Sequence, residues 1–273
     1  VSTVPQLPPA TAPLSDYIAR REPAFFPGLA AGWPAVRRWD FDFLGRLRPE
    51  MSVRLVRGDR ESGATRFVES TLGAYMRLLA RDEFGEEFLY LKEFDLLRRF
   101  PHLHADISPR RELLPRRAFA PPPGVWVGPA RARTGAHYDL LGNIAVVIRG
   151  GKRFRVAPPG FVEAADALSA KYDPLARLSA RPLAEIAAAT RSEDRLYEVE
   201  LVAGDVLYVP DRWWHEVRNR SASILLSGFF GGYGHVAARA AQVAVRHGLH
   251  LAHRDRATGC TCHETGSGDK EYR

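Results

Sequence analysis

The stretch RTGAHYDLLGNIAVVIRGGKRFRVAP, residues 133–158, sets β-branched runs on either side of Gly150-Gly151. Two glycines in that setting predict a two-residue hairpin. In its register Arg149 faces Lys152, Val147 faces Phe154 and Ala145 faces Val156. Side chains alternate along a strand. His137, Asp139, Asn143 and Ala145 therefore share one face, which Lys152, Phe154 and Val156 continue across the turn. A lysine turned into a β pocket is costly unless it meets an anion, and the carboxylate of a co-substrate is the natural one. Lys152 also reads as a surface lysine at a hairpin tip. Arg149 and Arg153 flank it as other binders of an acid.

His137 and Asp139, two residues apart in a strand, reach one common point. An imidazole and a carboxylate make two parts of a facial triad. The best third member is His215 in GDVLYVPDRWWHEV, 78 residues on (215 − 137). Two histidines and a carboxylate on one face of an octahedral metal leave three positions open, the ligand set of non-haem Fe(II) oxygenases. Zn or Ni stays open on these residues, because divalent affinity alone does not select iron. His102 and His104 also stand at i and i+2, without a matched third ligand. Cys260, Cys262, His263 and His253 are of metal-ligand type, but lie in or beside a polar, Gly-rich tail.

Working outward, residues 1–13 are Pro-rich and predict an extended arm. Pro13 opens a helix over 14–21, and Asp40 caps one over 41–47. Residues 53–57 alternate as a strand. Ser70 caps a helix over 71–81, with Leu72, Tyr75, Met76 and Leu79 as a core stripe. Phe88 to Lys92 is a strand that carries Tyr90. Residues 161–190 read as a helical or loop insertion between the metal pair and the third ligand. Residues 197–209 are strand-like around a turn at 203–205, Ser223 to Phe230 is a further strand, and residues 235–253 are helical in pattern. Of Trp213 and Trp214, one is expected in the barrel wall and the other at the substrate entrance.

Strands spaced by turns around a central hairpin predict a mainly β fold, a double-sheet jelly roll or cupin barrel, with flanking helices and a C-terminal helix. One domain over 1–254 is expected: an N-terminal arm and helices over about 1–50, a jelly-roll core over about 51–231 and a helix over about 233–254. A flexible tail over 255–273 follows. Two cysteines two residues apart cannot staple a core, which excludes a disulfide framework and fits a reducing, cytoplasmic setting. The N-terminal residues lack a signal-peptide pattern, and the longest aliphatic run, Ile144-Ile148, is too short to span a bilayer, so no membrane partner is expected. The net charge of +7 raises RNA as a partner, although no block of like charges appears.

These residues resemble the JmjC/cupin-like (cupin-8) branch of Fe(II)/2-oxoglutarate oxygenases, the group containing the asparaginyl hydroxylase known as factor inhibiting HIF. The likeness runs roughly from Phe25 to Gly231 and includes the opening G-x-x-x-x-W-P-A at Gly28 to Ala35. The family carries H-x-D…H for iron, a Thr three residues before the first His, an Asn six after it and a Lys fifteen after it. Here these are Thr134, Asn143 and Lys152. The resemblance implies that His137, Asp139 and His215 hold Fe(II). It also implies that Lys152 and Thr134, with Tyr90 from an earlier strand, hold the far carboxylate of the co-substrate 2-oxoglutarate. Thr134 has the wrong parity for that pocket unless Gly135 supplies a bulge. The family often has Asn in a strand after the distal His; this chain has Ser227, in LLSGFF. The implied activity is 2-oxoglutarate-dependent hydroxylation of an unactivated C–H, foremost in an amino-acid side chain of a peptide or protein. The alternatives are a small natural product, a modified tRNA base, or a metal-binding cupin without turnover. The C-terminal helix is a homodimer element in relatives, or else packs on its own sheet.

Overall fold

The computed structural model describes residues 4–57, 66–83, 88–107, 113–115 and 117–252. The expected tail, with Cys260, Cys262 and both of the histidines grouped with them, lies outside the described residues. The chain opens with α1 (Leu14–Arg20), β1 (Ala24–Phe26), α2 (Pro34–Arg38) and α3 (Phe41–Leu47). It continues with β2 (Ser52–Arg57), β3 (Arg66–Thr71), α4 (Leu72–Arg81), β4 (Leu89–Phe94), α5 (Leu96–Arg99), β5 (Ala118–Phe119) and β6 (Gly124–Gly128). The central strands are β7 (Arg133–Asp139), β8 (Gly142–Arg149) and β9 (Gly151–Ala157). After them come β10 (Ala176–Leu178), α6 (Leu183–Thr190), β11 (Tyr197–Val202), β12 (Val206–Val209), β13 (Trp214–Asn219), β14 (Ser223–Gly232) and α7 (Tyr233–Leu251).

Among the described residues these strands build a nine-stranded sheet, ordered β1-β12-β8-β14-β6-β4-β2-β3 with β5 on β14, and a five-stranded sheet ordered β10-β7-β13-β9-β11. Every pairing between these strands is antiparallel. The two sheets close on each other as a jelly roll. Ala145, Val147, Phe154, Val156, Leu207 and Leu225 fill the layer between them. A second core, with Ile144, Val146 and Ile148 on the far face of β8, lies under the N-terminal helices. β8 is covered on both sides, which is why its aliphatic run does not alternate with polar residues.

The Gly150-Gly151 turn is not the hairpin that its sequence predicts. β8 pairs with β12 and β14, whereas β9 pairs with β11 and β13 in the other sheet. Gly150 therefore carries the chain from one sheet to the other. It does so at φ +76, where a Cβ would stand 2.2 Å from the Ala222 carbonyl oxygen. No other residue fits there. Face sharing survives this correction for a different reason: Ala145 and Val147 meet Phe154 and Val156 across the sandwich rather than along a ladder.

Local chemistry explains several boundaries. Asp40 accepts from the Phe43 N–H at 2.7 Å and starts α3. Thr71, not Ser70, caps α4, accepting from Ala74 N–H at 3.3 Å. Leu72, Tyr75, Met76 and Leu79 are buried as the stripe requires. The N-terminal arm lies along two sheet margins, with Leu7 N–H on Glu198 O at 2.8 Å and Ala10 N–H on Phe25 O at 2.7 Å. Such cover satisfies edge groups that would otherwise pair with another chain. Among the described residues no helix is long and apolar enough to cross a membrane.

Candidate metal centre

β7 and β13 are neighbours in the five-stranded sheet, and His137 stands directly opposite His215. Asp139 follows two residues along β7, on the same face. The three offer ligand atoms that all lie within 4.8 Å of one another. His215 Nε2 is 3.5 Å from Asp139 Oδ2, and the two imidazole centroids are 4.2 Å apart. Each imidazole is turned by its own strand. His137 Nδ1–H donates to Gly135 O at 2.8 Å, and His215 Nδ1–H donates to Trp213 O at 3.1 Å. Each ring thus keeps its proton on Nδ1 and offers Nε2 as the ligand atom, the tautomer that a metal site needs.

Burial sets the electrostatics. It pulls the His215 imidazole down to about 4, so the ring stays neutral, against the opposing pull of the Trp213 carbonyl. It pushes the Asp139 carboxyl up to about 6; the nearby His137 opposes this rise, and Glu93 and Asp173 add to it. A largely buried carboxylate beside the neutral His215 ring is poorly compensated, and a divalent cation supplies the missing charge. Metal binding must displace the Asp139 proton once pH falls below about 6. Affinity for Mn(II) is therefore expected to fall about tenfold per unit below that point. Titration between pH 8 and 5 checks this, and a flat profile would remove Asp139 from the ligand set.

The same inward wall carries the other predicted residues. Thr134 is paired with Val217, whereas three residues on, His137 is paired with His215 only two residues away. One extra residue of β7 is thus accommodated between Thr134 and His137, the bulge expected at Gly135. It turns Thr134 inward beside Val217, which packs against the inter-sheet core. Lys152 is fully buried, which rules out the surface-tip reading. Its Nζ donates to Tyr90 OH at 3.0 Å and to Asn219 Oδ1. Both partners are neutral, and burial, with Lys92 adding to it, pulls the ammonium down to about 7. Arg153 instead pairs with Glu198 and Glu200 on the outer face, and Arg149 is exposed. Asn143 Nδ2 donates to Ser227 Oγ at 2.8 Å, while Asn143 Oδ1 is buried with no hydrogen-bond partner among the described residues.

Lys152 lies opposite Asn219, and His215 lies opposite Val156. The buried cation is thus four residues down the ladder from the triad, about 13 Å of strand. The lysine side chain and a keto diacid of 2-oxoglutarate's length can fill that gap together. The neutral surroundings of Lys152 and the unpartnered Asn143 oxygen both fit such a guest, and the donor set fits Fe(II).

Sequence reading missed Asn219, whose Nδ2 donates to Gly128 O at 3.2 Å and Pro129 O at 2.9 Å, fixing the oxygen that meets Lys152. Its position four residues after His215, at equal parity, was the available signal. Trp214 lies in the outer wall, fully buried, with Nε1–H on Glu163 at 2.9 Å. Trp213 is partly buried against the inter-sheet core and bonds Arg21 O at 3.1 Å. His102 and His104 are exposed on a 3-10 turn and, among the described residues, join no metal-ligand group.

A profile described as the Cupin-like domain matches residues 9–232. The chain is 27% identical to the Jumonji C domain-containing protein 5 of Drosophila melanogaster, over 71% of this chain and 51% of that protein. It is 26% identical to the lysine-specific demethylase JMJ21 of Arabidopsis thaliana, over 79% of this chain and 24% of the relative. It is 25% identical to the tRNA wybutosine-synthesizing protein 5 of Gallus gallus, over 80% of this chain and 73% of the relative. The chain thus spans about half the length of the Drosophila protein and about a quarter of the Arabidopsis one.

Proposed function

The chain belongs to the cupin-like domain family, and from that premise we propose that it is an Fe(II)- and 2-oxoglutarate-dependent dioxygenase that hydroxylates an unactivated C–H. The observation that carries this is the convergence of His137, Asp139 and His215 on one point, with a fully buried lysine on the same wall. When bound, iron with 2-oxoglutarate and dioxygen supplies oxidative hydroxylation, releasing succinate and CO2.

The rest is the work of this chain's side chains. His137, Asp139 and His215 hold the metal by one face and leave the other for ligands. The Gly135 and Trp213 carbonyls fix both imidazoles, so no rotamer has to be found when the metal arrives. Lys152 supplies the charge for the far carboxylate, with Thr134 and the Tyr90 hydroxyl as hydrogen-bonding partners. Asn143, steadied by Ser227, keeps a buried oxygen without a hydrogen-bond partner among the described residues, available to a bound guest. The packed layer between the sheets excludes water beneath the site.

The substrate we favour is an amino-acid side chain in a peptide or protein, in line with the relative named a lysine-specific demethylase. A second reading, a modified tRNA base, is favoured by the wybutosine-synthesizing relative, which is matched over most of both chains, and by the net charge of +7. The test is to incubate the protein with Fe(II), 2-oxoglutarate and either a peptide digest or total tRNA, and to read each pool by mass spectrometry. Gain of one oxygen on a peptide, with matching succinate, is the expected result. Oxygen gained by tRNA alone would transfer the assignment to the second reading. Full iron occupancy with no succinate from either pool would leave a metal-binding cupin without turnover.

A further inference from the structure

We propose that α7 braces the two loops that flank the metal ligands, and that His235 is its positioning residue. This rests on the reading of His137, Asp139 and His215 as ligands. α7 runs for 19 residues, yet most of them are exposed, and Tyr233, Val245, Leu249 and Leu251 present apolar side chains to solvent. Apolar packing is therefore a minor part of what ties it down. Its polar contacts go instead to segments that flank the ligands.

His235 Nε2–H donates to the carbonyl oxygen of Leu140, the residue after Asp139, at 3.3 Å. The same nitrogen lies 3.7 Å from Asp211 Oδ2, which also receives Arg239 NH2 at 3.5 Å. Asp211 stands four residues before His215, its side chain is only 11% exposed, and these two contacts tie it to α7. The two loops are joined to each other as well: the Arg212 N–H donates to Asp139 O at 2.8 Å. At its far end α7 holds a third segment. Arg246 donates to Asp173 O at 3.1 Å, and His250 stacks on Tyr172 at 3.8 Å. That segment leads into β10, which pairs Ala176 with Asp139 and Leu178 with His137.

Gly231 lies where the start of α7 meets the loop after Asp139. A Cβ there would stand 3.3 Å from Leu141 Cδ2 and 3.4 Å from His235 Cδ2. The bonds His235 makes are partly exposed and contribute little to global stability. Their effect is on where the loop after Asp139 and the loop before His215 rest relative to each other, and so on the bite of the ligand set.

The experiment compares wild type, His235→Ala and His235→Gln, the last keeping an N–H donor where Nε2 stands. Each is titrated with Co(II), whose d–d absorption reports ligand geometry. Arg212 amide exchange is measured on the metal-free proteins, with melting temperature as the folding control. His235→Ala is expected to weaken Co(II) about tenfold, to shift the d–d bands and to speed Arg212 exchange, and His235→Gln is expected to recover all three. Wild-type affinity, spectrum and exchange in His235→Ala would overturn the brace. A His137→Ala control keeps the two readings apart. If Co(II) binding ignores that change, the ligand assignment fails, and the brace is then judged on exchange alone: faster exchange supports it and unchanged exchange overturns it.

Discussion

Replacing His137 with alanine is expected to take iron retention and 2-oxoglutarate-dependent succinate release to background. The residues left behind, Asp139 and His215, sit 3.5 Å apart and offer one carboxylate and one imidazole. Losing a group that merely orients a ligand typically costs ten- to a hundredfold in affinity, so losing the ligand itself must cost more. The fold is not at risk, because His137 is partly exposed near the end of β7 and belongs neither to the inter-sheet layer nor to the core under the N-terminal helices. Circular dichroism and thermal melting check that point. His102→Ala serves as the counterpart: its side chain is exposed on a 3-10 turn, and iron content and turnover should match wild type. Iron by mass spectrometry and succinate by NMR, measured on the same samples, give the answer. Succinate at the wild-type rate from His137→Ala would end the oxygenase reading.

The triad was legible because it depends on local geometry. His137 and Asp139 needed only strand alternation, and His215 needed only a second strand whose sequence ends in a turn-bounded run. Thr134 shows the limit of that reasoning: strict alternation turned it outward, and only the extra residue near Gly135 brings it in. The central turn shows a deeper limit. Gly150-Gly151 carries the same signal whether the chain folds back on its own sheet or steps to the facing one. What decides between them is the partner strands β11 and β12, which bring distant residues into register. β3 and β10 escaped notice because β3 shows no clean alternation of buried and exposed residues and β10 is three residues inside an insertion. The cap of α4 slid by one residue because Ser70 and Thr71 offer the same hydroxyl chemistry. Asn219 was missed because a lone amide on a strand carries no motif; its meaning comes from the ammonium it meets.

That ammonium carries the second large effect. Lys152→Met is expected to raise the 2-oxoglutarate concentration for half-saturation about a hundredfold, since removing one member of a buried, hydrogen-bonded charge pair costs about 2–5 kcal/mol. The rate at saturation should change far less, because Lys152 lies well down the ladder from the metal ligands. The pH dependence identifies the cause. Burial pulls the lysine down from its ordinary value of 10.5 to about 7 in the protein without co-substrate. Below about 7 it already carries the charge that a carboxylate needs, and above 7 it must first take up a proton. Wild-type affinity is therefore expected to fall about tenfold per pH unit above 7, until the lysine of the bound form itself titrates. In Lys152→Met that slope disappears. Folding stability moves the other way: between 7 and 10.5 the unfolded chain holds a proton on Lys152 that the folded chain has lost, so wild-type stability gains with rising pH across that window from this group. Methionine removes the cost of burying a charge but leaves the buried Asn219 oxygen without its donor, and the two effects oppose each other in the variant's stability at neutral pH. Calorimetric titration of 2-oxoglutarate between pH 6 and 9, in two buffers of different ionisation enthalpy, measures both affinity and proton uptake. Equal half-saturation in the two proteins, or an unchanged slope in the variant, would take Lys152 out of the co-substrate site while leaving the triad untouched.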